Sequence, residues 1–125
     1  MVNLFKAKRF DTLINKGLVL IKKFPDQAIF YNITSLAYNA TDKCIEAKGL
    51  LTKILAKEPK NISVLNNLGL ASAQCGDNDE AEKYYNKALD LKNDFVSAMV
   101  NLGNLKLNQD EGLEAKKLFL EAIKI

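Results

Sequence analysis

The sequence has no histidine and no tryptophan, and only two cysteines and two prolines. Without histidine there is no imidazole base, no imidazole metal ligand, and no Ser-His or Cys-His pair. The HExxH, CxxC, GxGxxG and P-loop patterns are missing too. An enzyme is therefore not expected, nor a cofactor or a metal. Cys44 and Cys75 are too few for a disulfide framework, and they fall at different phases of the chain's period. They are expected as buried or half-buried thiols. The longest strongly apolar run is Leu18-Val19-Leu20-Ile21, far short of the ~20 residues that span a bilayer. Lys6, Lys8 and Arg9 have no long apolar segment after them, so no secretory signal is read. No membrane contact is expected, and a cytoplasmic address is the default.

Neither acidic nor basic residues are in large excess. The net charge of +3 is too small to argue for nucleic acid, and no aromatics interleave with the basic residues as in a single-strand binder. The distribution is uneven. Residues 1–60 hold 11 Lys/Arg against 5 Asp/Glu, and residues 61–125 hold 7 against 10. That drift reads as a solvated helical surface; the alternative is a basic face for an acidic partner. Strand signals are absent, since no run alternates apolar and polar residues and no Asn-Gly or Asp-Gly turn occurs. At 125 residues the chain is expected to be one domain with a useful core.

What is present is helical periodicity. Phe10, Leu13, Ile14, Leu18 and Ile21 make one apolar face over 8–23, ended by Phe24-Pro25. Asp26 is placed to cap a helix over 27–39, with Ala28, Tyr31, Leu36 and Tyr38 inward. A helix over 43–57 buries Ala47, Leu50, Leu51, Ile54 and Leu55 and stops at Pro59. Further helices fit 62–75, 79–91, 95–108 and 111 to the end. Asp77 or Asp79 can cap the helix at 79–91. Asp79, Glu80 and Glu82 oppose its dipole favourably. Residues 1–7, MVNLFKA, read as a frayed start.

The stretch from Val64 to Leu91 recurs at a spacing of 34 residues. Leu68-Gly69 becomes Leu102-Gly103, Ala81 becomes Ala115, Tyr85 becomes Phe119 and Ala88 becomes Ala122. Shifted the other way, Ala81, Tyr85 and Ala88 fall on Ala47, Leu51 and Ile54. Pro25 and Pro59 share the frame, and Asn93 stands where a third proline would. Leu65, Leu68, Gly69 and Ser72 followed by Ala81, Tyr85 and Ala88 resemble the tetratricopeptide repeat. Met99, Leu102, Gly103 and Lys106 with Ala115, Phe119 and Ala122 repeat it. Tyr31, Thr34, Ser35 and Tyr38 with Ala47, Leu51 and Ile54 form a looser copy.

The resemblance implies an all-α fold, a right-handed α-solenoid of antiparallel helix pairs with about three and a half units. These are a half unit at 8–25 and units at about 28–61, 62–95 and 96–125. Gly69 and Gly103 are expected to allow close helix approach, and Tyr85 and Phe119 to fill the space between units. In the half unit Leu13 stands at the alanine position and Gly17 at the aromatic one, which suggests a volume swap. The last segment, KLFLEAIKI, is amphipathic with nothing after it to cover it. The chain is then either a piece of a longer protein or covered at its ends by another copy.

The resemblance also implies a concave groove lined by the first helix of each unit. It would be lined by Ile29, Asn32, Ile33, Leu36, Asn39 and Ala40, then Ser63, Asn66, Asn67, Leu70, Ala73 and Gln74. The fourth unit adds Ser97, Val100, Asn101, Asn104, Leu107 and Asn108. None of these positions is charged. The site is expected at Asn32, Asn66, Asn67, Leu70, Gln74, Asn101, Asn104 and Asn108, whose amides can pair with an extended peptide. Asn67 and Asn101 resemble the asparagine ladder of arrays attached to glycosyltransferases, and Ile33 breaks that ladder. The groove lacks the basic residues of a carboxylate clamp. The expected function is a protein-interaction scaffold that holds a peptide or protein segment. Alternatives are a homo-oligomer formed through the end helices and a substrate-recruiting part of a glycosyltransferase-like enzyme.

Overall fold

The computed structural model describes the backbone of residues 4–124 and the side chains of residues 8–124. Seven helices and no strands make up this part: α1 Leu4–Lys23, α2 Ala28–Ala40, α3 Cys44–Lys57, α4 Ile62–Gln74, α5 Asn78–Leu91, α6 Val96–Asn108 and α7 Gly112–Lys124. The start of α1 at Leu4 takes in part of the expected frayed segment; residues 1–3 lie outside the described residues, as does Ile125.

The turn inside each pair has one form. Asp42, Gly76 and Asp110 stand 34 apart and all have positive φ, at 59°, 87° and 61°. After each, a backbone N–H reaches back over the turn: Lys43 to the Tyr38 carbonyl, Asp77 to that of Ser72 and Glu111 to that of Lys106. A left-handed residue there satisfies the last carbonyls of the first helix and reverses the chain.

The pairs stack into an α-solenoid. α2 packs on α4 and α4 on α6, whereas the backbones of α1, α3, α5 and α7 do not come close to one another. The first helices therefore form a closed inner row and the second helices a splayed outer row. Three apolar clusters run through the stack. One joins Ile21, Tyr31, Ala47, Leu51, Ile54, Val64, Leu68 and Ala71. Another joins Ala81, Tyr85, Leu102 and Leu105, and the third Leu65, Ala88 and Ala98.

Side-chain sizes are matched within each pair. A Cβ on Gly69 would lie 2.6 Å from the Tyr85 ring, and one on Gly103 the same distance from that of Phe119. The aromatic ring thus lies over the glycine of its own unit, while Tyr85 also packs on Leu102 and Leu105 of the next. It fills space within the unit as well as between units. Burial pushes the Tyr85 phenol well above its ordinary value. In α2–α3 the same two positions hold Ser35 and Leu51, both fully buried: a larger first residue meets a smaller second one. The proposed Leu13–Gly17 swap does not occur. Thr34 packs onto Gly17 and donates to the Phe30 carbonyl, while Leu13 stays exposed. Leu18 and Leu36 are exposed too, Leu36 on the inner row.

The expected caps are also replaced. Gln27, not Asp26, stands at the N-cap of α2, without a side-chain cap bond, and the Asp26 carboxylate accepts from Lys57 Nζ at 2.6 Å. Asp77 sits at the N-cap of α5 without a side-chain cap bond; it and Glu80 take Lys48 Nζ at 2.9 and 3.3 Å. Asn61, unforeseen, caps α4 by accepting from the Val64 N–H.

Shifting the Lys48 cluster by 34 exposes a charge reversal. Asp77 and Glu80 become Glu111 and Glu114, but Lys48 becomes Glu82. Three carboxylates would converge there. Lys106, at the position of Ser72 and Tyr38, supplies the cation. Its Nζ lies 2.6 Å from Glu82, 3.4 Å from Glu111 and 3.7 Å from Glu114, and the residue is only 8% exposed. The hydrogen bond to Glu82 is the main reason that its ammonium is held above the ordinary 10.5.

Two predictions follow from this packing. Gly69→Ser should lower stability in urea by about 1–3 kcal/mol through overpacking. Adding Tyr85→Leu should recover much of the loss, since the pair then copies Ser35 and Leu51. Lys106→Ser should cost about 2 kcal/mol, the worth of a hydrogen bond to a charged group, and Glu82→Lys in the same chain should restore it. Because the folded-state value of Lys106 is raised, its contribution is complete below pH 10.5 and fades as pH rises through that folded value. Lys106→Ser should flatten that alkaline limb.

Candidate binding groove

The exposed side of the inner row is the candidate site. Its helices follow one another at one unit per step, so their side chains form rows across the array. Three hydrogen bonds run along these rows, each between residues 35 apart. Asn67 Nδ2 donates to Asn32 Oδ1 at 3.0 Å, and Asn101 Nδ2 to Asn66 Oδ1 at 3.1 Å. Gln74 Nε2 donates to the Asn39 carbonyl at 2.7 Å. The two asparagines expected to reach outward thus stitch α4 to α2 and α6 to α4. Each such bond uses one donor, leaving a second N–H and a carbonyl lone pair on every donating amide.

Leu70, Gln74 and Asn108 come together with Leu36, Asn39, Ala40 and Ala73 around an open cleft of about 530 Å³. Asn32, Asn66, Asn67, Asn101 and Asn104 do not line it. Asn66 is buried, Asn32, Asn67 and Asn101 are half-buried, and Asn104 is exposed. No charged residue lines the cleft. Ile29, Ile33, Leu36, Val100 and Leu107, all at expected groove positions, are exposed. They give the face aliphatic contact area between its amides. Asn39 was among the groove positions but not among the expected site residues. It is 9% exposed, and both polar atoms of its side-chain amide are buried without a partner. Its backbone carbonyl is engaged, by Gln74 and by the Asp42 N–H. Burial of a residue type that also occurs on the surface is a tertiary fact, and no local signal marked it.

The comparisons with known proteins agree with this architecture. Residues 62–95, the α4–α5 pair and its flanks, match the tetratricopeptide repeat family. That span is a tetratricopeptide repeat. The chain is 35% identical over 69 residues to the protein O-mannosyl-transferase Tmtc3 of Drosophila melanogaster, an alignment that covers 55% of this chain and 8% of that protein. A thermophilic TPR protein of Thermus thermophilus superposes with a TM-score of 0.85 at 23% identity, over 89% of this chain and 62% of that one. MamA of Desulfovibrio magneticus, from its residue 41 onward, superposes with a TM-score of 0.80 at 16% identity, over 94% of this chain and 66% of that one. These likenesses are in the fold. The chain spans under a tenth of the mannosyl-transferase and about two thirds of the solved structures.

The amide pairing across the inner row has a stability consequence. A double-mutant cycle with Asn32→Ala and Asn67→Ala should give a coupling of about 1 kcal/mol in urea melts, the usual net worth of such a bond. Asn104→Ala, on an exposed side chain, should leave the melt unchanged.

Proposed function

We propose that the chain is a non-catalytic scaffold that holds an uncharged segment of a partner protein along the inner row. The observation that carries this reading is the composition of the face: amides and exposed aliphatic side chains without a charge. Amides pair with peptide backbone and aliphatics take apolar side chains, whereas a strongly charged segment would lose hydration there with no counter-charge. The cytoplasm is its proposed location; among the described residues no helix is long and apolar enough to cross a membrane.

Self-association is a second reading, favoured by Leu113 and Ile123 on α7 and Val19 on α1, all well exposed. Recruitment of substrate to a glycosyltransferase is a third. It is supported by the 35% identity to the mannosyl-transferase, over 69 residues. A monomer in light scattering at high concentration would remove self-association.

A peptide array tests the groove. Bound sequences should be low in charge, and Leu36→Glu should weaken their binding about tenfold or more by putting a carboxylate into the uncharged face. Its side chain is already 44% exposed, so helicity should be kept. Binders rich in Asp, Glu, Lys or Arg, or affinity indifferent to Leu36→Glu, would overturn the groove reading.

A further inference from the structure

The expected free thiols are not there. Cys44 and Cys75 form a disulfide, with Cα atoms 5.6 Å apart. Cys44 is the first residue of α3 and Cys75 the C-cap of α4, so the bond ties the turn of one helix pair to the turn of the next. Shifted by 34, the two positions hold Asn78 and Gln109, so the next step of the stack has no such bond. The cross-link is confined to one step of the array and to one edge of it.

Three features suggest that the bond can be opened in the folded protein. Both cysteines are half-buried rather than sealed. They line an open surface cleft of about 310 Å³ together with Ile45, Lys48 and Asp77, which gives an attacking thiolate a way in. The apolar cluster that joins α3 to α4 uses Ala47, Leu51, Ile54, Val64 and Leu68, and neither cysteine belongs to it. That core would hold the two pairs together after the sulfurs part. Disulfides in a reducing compartment are usually transient, and a protein of the cytoplasm would hold this one in a changeable state.

We propose that Cys44–Cys75 is a reducible clip on the folded array, opened by a dithiol and closed again by exchange with the oxidised, disulfide form of that dithiol. In the opening step a thiolate of the dithiol attacks one sulfur of the pair. The Cys44–Cys75 bond breaks, and the other cysteine leaves as a thiolate and takes up a proton. The second thiol of the reductant then attacks the mixed disulfide, frees the remaining cysteine and departs as the oxidised disulfide. Two electrons and two protons pass to the protein. Opening frees the edge formed by the ends of α2 and α4. There Gln74 donates to the Asn39 carbonyl and Lys48 holds Asp77. Asn39 and Gln74 also line the groove cleft, so the clip adjusts that end of the inner row. The inference rests on packing and holds whether or not the groove takes a peptide.

The test uses the whole chain in native buffer, with dithiothreitol as the dithiol and iodoacetamide to trap free thiols. Both cysteines should be alkylated without denaturant while the helical circular dichroism is kept. Amide exchange should then rise about tenfold or more over residues 39–44 and 74–78, and stay unchanged over 64–71. A Cys44→Ser/Cys75→Ser chain should show the same exchange pattern with no reductant. A bond that yields only in denaturant overturns the proposal. So does opening that leaves the edge unchanged, or that melts 64–71 along with it.

Discussion

The left-handed residue in the turn of each helix pair is the constraint on which the architecture rests. Asp42, Gly76 and Asp110 reverse the chain in the same way three times, so each pair leaves its turn at one angle. Repetition of that angle sends α2, α4 and α6 to one side. Two of the three residues are aspartates, which adopt this conformation at some cost. The carbonyls satisfied behind them and the packing of the pairs repay it. A single pair has only one apolar face and nothing to cover it, so the turn geometry matters because it brings the next pair into place.

Within that frame the units are not copies but compensated variants. Where the first helix carries glycine, the second carries an aromatic ring; where it carries Ser35, the second carries Leu51. Where the outer helix carries Lys48, two carboxylates of the next unit meet it. Where it carries Glu82 instead, Lys106 enters from the inner helix to balance the site. Volume is balanced within these pairs and a lysine faces the carboxylates at both of these junctions, while the residues that supply them move between helices. A frame tolerant of such exchanges can drift far in sequence, consistent with structural neighbours at 16% and 23% identity.

Helix limits and period were legible because they depend on local chemistry. The observed limits of α2 to α7 lie within about one residue of those read from periodicity, prolines and turn residues. What was not legible depended on pairs brought together by stacking. Asp26 and Asp77 have the right type and place for caps, yet lysines from neighbouring helices claim them. Cys44 and Cys75 stand 31 apart with different phases, and only the meeting of two turns joins them. The amides of Asn67 and Asn101 read as outward-facing donors, but the helix before each lies within hydrogen-bond reach. Leu36 follows the apolar pattern of α2, yet it faces the open cleft of the inner row and is left uncovered.

The difference between the two rows gives the array a mechanical asymmetry. Inner helices touch and are joined by hydrogen bonds between side-chain amides, while the backbones of outer helices stay apart and reach one another only through long side chains, as Lys48 reaches Glu80. The inner row is thus the stiff layer about which the stack flexes. A bending load opens or closes the outer gaps first, and a change in curvature leaves the spacing of inner-row positions nearly constant. Anything laid along that row is measured against a ruler with one mark per helix pair, and the ruler keeps its scale as the molecule bends.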